Sequence, residues 1–191
     1  MLLNNHVNII CGMVEKNPSS KPYNCQFVVS KTGELIARYH KNHLFTESTE
    51  PDLYCPGNEL VTFDINGWKC GLSTCFDIRF PRLFEAYKQA GVECMFSGFN
   101  WVYGRNKPVN MESLVKARAH ENQLFFVAVD RTGSDPNTSY YGTNIISTPY
   151  CENIAELNGI YGFAEIFKDD IKTLSTMLPL ASSFKPQYKV V

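Results

Sequence analysis

Lys69-Cys70-Gly71-Leu72-Ser73-Thr74-Cys75-Phe76-Asp77-Ile78-Arg79-Phe80-Pro81 is the run around which the rest of the chain is organised. Its first half reads as a buried strand, and its second half as the approach to a helix. Pro81 suits the first helical position, where a missing N–H costs nothing. Beyond it Leu83, Phe84, Tyr87 and Ala90 recur at helical spacing, and Gly91 supplies a C-terminal stop. Cys75 therefore falls at a sharp strand-to-helix turn, beside backbone N–H groups free to meet an anion. A turn of that kind exposes a nucleophile and stabilises the charge that its attack creates. The competing reading is a small buried hydrophobe, the ordinary state of a cysteine in a reduced chain.

Upstream, residues 60–65, the turn Asn66-Gly67 and residues 68–74 make a hairpin, because Asn-Gly is the strongest short hairpin signal. Further back, 7–14, 23–30 and 35–39 read as strands, with Lys31-Thr32-Gly33-Glu34 a turn. Residues 42–57 form a long connection with two prolines, of the length that usually carries function. Downstream, 92–96 reads as a strand, 97–107 as a loop bearing Asn100 and Trp101, 109–122 as a helix and 124–129 as a strand. A polar turn-rich loop (131–141) and short strands at 143–147, 154–157 and 161–166 come next. A helix over 169–177 with acids in its first turn and an extended tail from Leu178 close the chain. Alternating strands and helices argue for an α/β layered domain, and the hairpin makes its sheets mixed. No repeat, low-complexity segment or linker divides the 191 residues, so a single domain with a sizeable core is expected.

Composition narrows the function classes. Apolar residues are 44% and charged residues 19%, a globular balance. A net charge of −1 without a basic run argues against nucleic acid or an anionic membrane as partner. No apolar run approaches the ~20 residues of a membrane span. Residues 1–8 lack the basic and apolar regions of a signal peptide, so a reducing cytoplasm is the expected home. Seven cysteines do not read as a disulfide framework. There is no C-x-x-C, and His6, His40, His43 and His120 make no H-E-x-x-H pattern, so no metal site is expected. Asn137-Thr138-Ser139 fits a glycosylation sequon but reads as a polar loop.

Cys75-Phe76-Asp77-Ile78-Arg79-Phe80-Pro81 resembles the cysteine motif of the nitrilase superfamily, the carbon–nitrogen hydrolases. Tyr39-His40-Lys41-Asn42-His43-Leu44-Phe45 resembles its lysine motif, and Ala117-Arg118-Ala119-His120-Glu121-Asn122-Gln123 its downstream helix motif. Tyr54-Cys55-Pro56-Gly57 also fits, and the order along the chain is the family's. The resemblance runs from about residue 7 to the C-terminus and is strongest to amidase branches, omega-amidase-like ones among them. It implies an α-β-β-α sandwich of two mixed sheets, lacking the opening strand and helices. Residues 1–191 are then one carbon–nitrogen hydrolase domain missing its N-terminal portion. A homodimer or higher oligomer is implied in the same way.

The chemistry so implied is cofactor-free hydrolysis of a small-molecule amide through a cysteine thioester, which splits one hard step into easier ones. Cys75 matches the nucleophile, and the backbone N–H of Phe76 would donate to the oxyanion. Lys41 matches the catalytic lysine, against the ordinary reading of a surface lysine at a strand end. Glu50 matches the supporting glutamate, with a solvated loop acid as its bland alternative and Glu47 as a competitor. Asn100 and Trp101 fall where the family builds its substrate pocket, although Trp101 reads equally as a core or interface aromatic. Arg118, Glu121 and Asn122 read as architectural, with an Arg118–Glu121 ion pair expected. The family's first glutamate lies ahead of this chain's first strand, and Glu15, the sole acid before Glu34, sits on a different strand. An incomplete copy of a longer enzyme is the expectation, with a complementing polypeptide or a degraded product as alternatives. A non-catalytic binding or assembly module on the same fold is the competing function, and redox sensing at Cys75 a weaker third.

Overall fold

The computed structural model describes residues 6–18, 20–158, 161–183, 185 and 189. Three strands come first: β1 (Ile9–Glu15), β2 (Tyr23–Val29) and β3 (Leu35–His40), paired antiparallel in the order β1-β2-β3. The connection after β3 is not wholly irregular, since Pro51 and two acids seed a one-turn helix, α1 (Glu50–Leu53). The hairpin of β4 (Thr62–Ile65) and β5 (Trp68–Thr74) turns through Asn66 and Gly67 at φ 50° and 79°. Positive φ at both central residues is what a type I′ turn requires, and Asn and Gly tolerate it best.

After β5 the chain tightens into a single 3-10 turn, Cys75–Arg79, and then into α2 (Pro81–Gln89). Pro81 opens that helix, Leu83, Phe84 and Tyr87 are its buried face, and Gly91 at φ 82° ends it. β6 (Cys94–Phe99), α3 (Lys107–Glu121), β7 (Phe125–Asp130) and β8 (Ile145–Ser147) complete the main layer. A small hairpin of β9 (Glu156–Asn158) and β10 (Tyr161–Phe163) leads to α4 (Lys168–Met177). The tail expected to be extended contains a further turn of helix, α5 (Leu180–Ser183); most of the chain beyond Ser183 lies outside the described residues.

The second sheet has the order β4-β5-β6-β7-β8, parallel at its centre and antiparallel at both edges. This sheet is mixed, as expected. The first is antiparallel throughout, its strands paired in chain order. Two cores result. Between the sheets lie Val28, Ala37, Tyr39, Phe63, Leu72 and Phe125. On the far side of the second sheet Ile78, Phe84, Tyr87, Met95, Met111, Val115 and Phe126 pack under α2 and α3. The structure is thus a mixed α/β layering of two sheets face to face. The first sheet is less well clad. Met13 and Val14, on opposite faces of edge strand β1, are 47% and 57% exposed, and Leu35 and Ile36 of β3 are also exposed.

Among the described residues no helix is long and apolar enough to cross a membrane.

Candidate active site

The site forms where the ends of β3 and β5 meet. Cys75 comes directly after β5 with φ 46°, in the left-handed region that L residues rarely occupy. Its position is held by Asp77, whose fully buried carboxylate accepts from the Thr74 N–H at 2.9 Å. The same carboxylate accepts from the Tyr39 hydroxyl at 2.7 Å, and from the His43 N–H and Nδ1 at 2.9 and 2.8 Å. Tyr39 and His43 flank Lys41, so one buried carboxylate ties the lysine segment to the cysteine turn. Phe76 lies in the opening of the 3-10 turn, where backbone N–H groups lack a partner within the turn.

Lys41 is 3% exposed, a placement that a lysine keeps only with partners. Its Nζ donates to Glu50 Oε2 at 2.6 Å. Glu50 also accepts from the Phe45 N–H at 2.7 Å and from Asn24 Nδ2 at 2.8 Å. Burial raises the Glu50 pKa, but the Lys41 ammonium and these two donors outweigh it and leave the carboxyl below its ordinary value. Glu47, the competing acid, is exposed. The Tyr54-Cys55-Pro56-Gly57 run passes beneath this pair. The Gly57 N–H donates to the Lys41 carbonyl at 2.8 Å, and a side chain there would collide with the His40 backbone.

Cys75, Lys41, Glu50 and Asn100 line one cavity of about 810 Å³, whose wall also includes Thr74 and Asp130. Burial pushes the Cys75 thiol above its ordinary pKa. Lys41 and a backbone hydrogen bond at Asn100 pull the other way, while Glu50 and Asp130 add to the rise. Trp101 takes the core alternative. Its ring is 3% exposed, stands edge-on to Phe99 and donates through Nε1 to the Lys107 carbonyl at 2.7 Å. Arg118 is architectural as expected: it pairs with Glu121 at 2.6 Å and donates through Nε to the Ile78 carbonyl in the 3-10 turn.

Sequence reasoning passed over four polar residues here. Asn24 and Asp77 are described above. Gln26 reaches across from β2 and donates to Thr74 Oγ1 at 2.9 Å and to the Ser73 carbonyl. Asp130 accepts from the backbone N–H groups of Trp101 and Gly142 at 2.8 and 2.9 Å, and burial raises its pKa. Only Asp77 carried a local signal, two residues beyond Cys75 within the motif itself.

The carbon–nitrogen hydrolase family profile matches residues 1–159. The chain belongs to that family. The profile begins ahead of residue 7 and stops before the C-terminal helices, a span shifted from the one read in the motifs. Among family members, the 2-oxoglutaramate amidase of Bacillus subtilis (strain 168) is 33% identical over 150 residues, covering 78% of this chain and 57% of the relative. Omega-amidase NIT2 of Homo sapiens is 30% identical over 161 residues, with the same coverage of 78% and 57%. The chain thus spans somewhat over half the length of these relatives. In the solved structures the fold recurs in a CN-hydrolase superfamily protein from Xanthomonas campestris with an arsenic adduct in its active site. The TM-score is 0.86 at 21% identity, over 99% of this chain and 73% of that one. Saccharomyces cerevisiae Nit3 matches with a TM-score of 0.78 at 26% identity, over 88% and 62%.

Proposed function

We propose that the chain carries a thiol-dependent site for hydrolysing the C–N bond of small non-peptide amides. The carrying observation is that Cys75 and the buried Lys41–Glu50 pair face one cavity. In this reading Cys75 Sγ adds to the amide carbonyl carbon, and the oxyanion is met by the Phe76 N–H and the Lys41 ammonium. Glu50 holds Lys41 in place. The nitrogen departs as ammonia or an amine, taking up the proton that the thiol gives away. Water then cleaves the thioester, releasing a carboxylic acid and restoring the thiol. Asn100 contacts the substrate, and Trp101 braces the wall behind it. The scheme uses no cofactor. The names of the two relatives favour a small carboxamide as substrate.

A thiol held above its ordinary pKa needs a base, and Glu50 is engaged with Lys41. The family resemblance puts a further glutamate ahead of Val7. A general base of that kind is typically worth about 10²–10⁴-fold in rate. The same raised thiol supports the second reading, a binding or assembly module that keeps the fold without turnover. A panel of small amides assayed with wild type and Cys75→Ala decides between them. Ammonia release and an acyl adduct mapped to Cys75, both absent from the variant, support the hydrolase. A folded wild type showing neither supports the module.

All seven cysteines are free, in keeping with the cytoplasm. A homodimer, which the family resemblance implies, is tested by sedimentation.

A further inference from the structure

Away from the cavity, on the other face of the first sheet, three potential metal ligands converge from three neighbouring strands. Glu15 ends β1, Cys25 lies in β2, and His40 ends β3 directly opposite Cys25 in the register. Their donor atoms (a carboxylate oxygen, a thiol sulfur and an imidazole nitrogen) all lie within 4.8 Å of one another. We propose that Glu15, Cys25 and His40 form a binding site for a zinc-class divalent cation, with a fourth position open to water.

The donor set selects the class of ion. Sulfur with imidazole disfavours Mg²⁺ and Ca²⁺, which take oxygen ligands, and suits Zn²⁺ or its substitute Co²⁺. Tetrahedral Zn²⁺ at its usual bond lengths sets such donors roughly 3.3–3.6 Å apart. Here the closest pair, His40 Nε2 and Glu15 Oε2, is 2.8 Å apart, joined by a proton that the cation would replace. Opening that contact slightly sets those two donors at the required spacing, and the Cys25 sulfur lies within 4.8 Å of both.

The surroundings resemble a supporting shell. Tyr23 lies flat on the His40 ring, with centroids 3.9 Å apart and planes at 5°, and fixes its orientation. Arg38 donates to Glu15 Oε1 at 2.6 Å, which leaves Oε2 as the oxygen for the metal and keeps the carboxylate aimed. Cys25 is buried beneath, whereas the His40 and Glu15 side chains are 34% and 21% exposed, so the cation enters from their side. The plain alternative is a Glu15 ion-pair cluster, with His40 and Arg38, over a buried thiol.

The proposal stands apart from the hydrolase reading but touches it. Side chains alternate across a strand, so Cys25 and His40 are the outward neighbours of Asn24 and Lys41, which face the cavity. A cation on the outer face would clamp exposed β1 to the two strands that hold the Lys41–Glu50 pair.

The full chain, stripped of metal, is titrated with Zn²⁺ against a chromogenic chelator, and its Co²⁺ spectrum is recorded. Expected are one tight equivalent and a thiolate-to-cobalt charge-transfer band, both retained in Cys75→Ala. Cys25→Ser should abolish the band. His40→Phe, which keeps the ring stack, should weaken Zn²⁺ more than ~100-fold, beyond the 10–100-fold of an outer-shell loss such as Arg38→Ala. Binding that survives His40→Phe, or a band that disappears with Cys75→Ala, overturns the proposal, as does the absence of any charge-transfer band from wild type. Should Cys25→Ser fail to fold, the His40→Phe and Cys75→Ala arms still decide it.

Discussion

The two sheets supply opposite halves of one site on very different foundations. The five-stranded sheet delivers Cys75 from β5, a strand buried along most of its length, with α2 and α3 packed behind it. The three-stranded sheet delivers Lys41 and Asn24, yet its edge strand leaves Met13 and Val14 about half exposed. Cys75 therefore rests on close-packed ground, and Lys41 on a sheet that buries mainly one face. Asp77 and Gln26 join the halves, each linking a residue of the first sheet to the end of β5. Buried polar bonds between sheets set the geometry here, because apolar packing is continuous on one side only.

Substitutions on each side test that contrast. Phe84→Ala, in the core under α2, should cost about 3–5 kcal/mol by chemical denaturation; a much smaller loss would mean that the two sheets are equally well packed. Asp77→Ala should cost a comparable amount. It strands buried donors on both sheets at roughly 1–3 kcal/mol each and should loosen the cysteine turn, seen as faster Cys75 alkylation. Unchanged alkylation would show that the sheets hold register without it.

The Glu50 carboxyl supplies a pH test of the cation half. Its folded pKa is lowered, so its contribution to stability is present above the unfolded value of about 4.3 and is lost as pH falls through the folded one. Melting temperatures of wild type should fall on acidification through that window, and Glu50→Gln should flatten this part of the profile. Parallel profiles would remove the Lys41–Glu50 pair from the account. The smallest effect belongs to the exposed edge: Met13→Thr should stay within about 0.5 kcal/mol of wild type by the same denaturation. A larger loss would mean that β1 is covered in solution.

How much the sequence discloses depends on the range over which each feature is decided. Asn66-Gly67 and Pro81 act within a turn, and the hairpin and α2 form where those residues place them. Cys75, Lys41 and Glu50 stand out by motif, and they meet in the cavity. The direction of the Cys75 pKa is set by burial, with smaller upward pushes from Glu50 and then Asp130, and no local pattern announces how deeply the thiol is buried. Gln26 and Asn24 take roles only once β2 faces β5 and α1. Glu15, Cys25 and His40 lie 10 and 15 positions apart (25 − 15, 40 − 25), a spacing that has meaning only after three strands pair. Trp101 illustrates the converse, a large aromatic in a loop whose ring the core claims.

Cys75 sits in a backbone conformation that disfavours every L side chain by roughly 1–2 kcal/mol and leaves glycine indifferent. Stability alone would have put glycine at this bend, and the protein that resulted would be firmer but would show no thiol to the cavity. The sulfur is held against the preference of its own main chain, so the fold gives up a measure of robustness where it keeps that thiol.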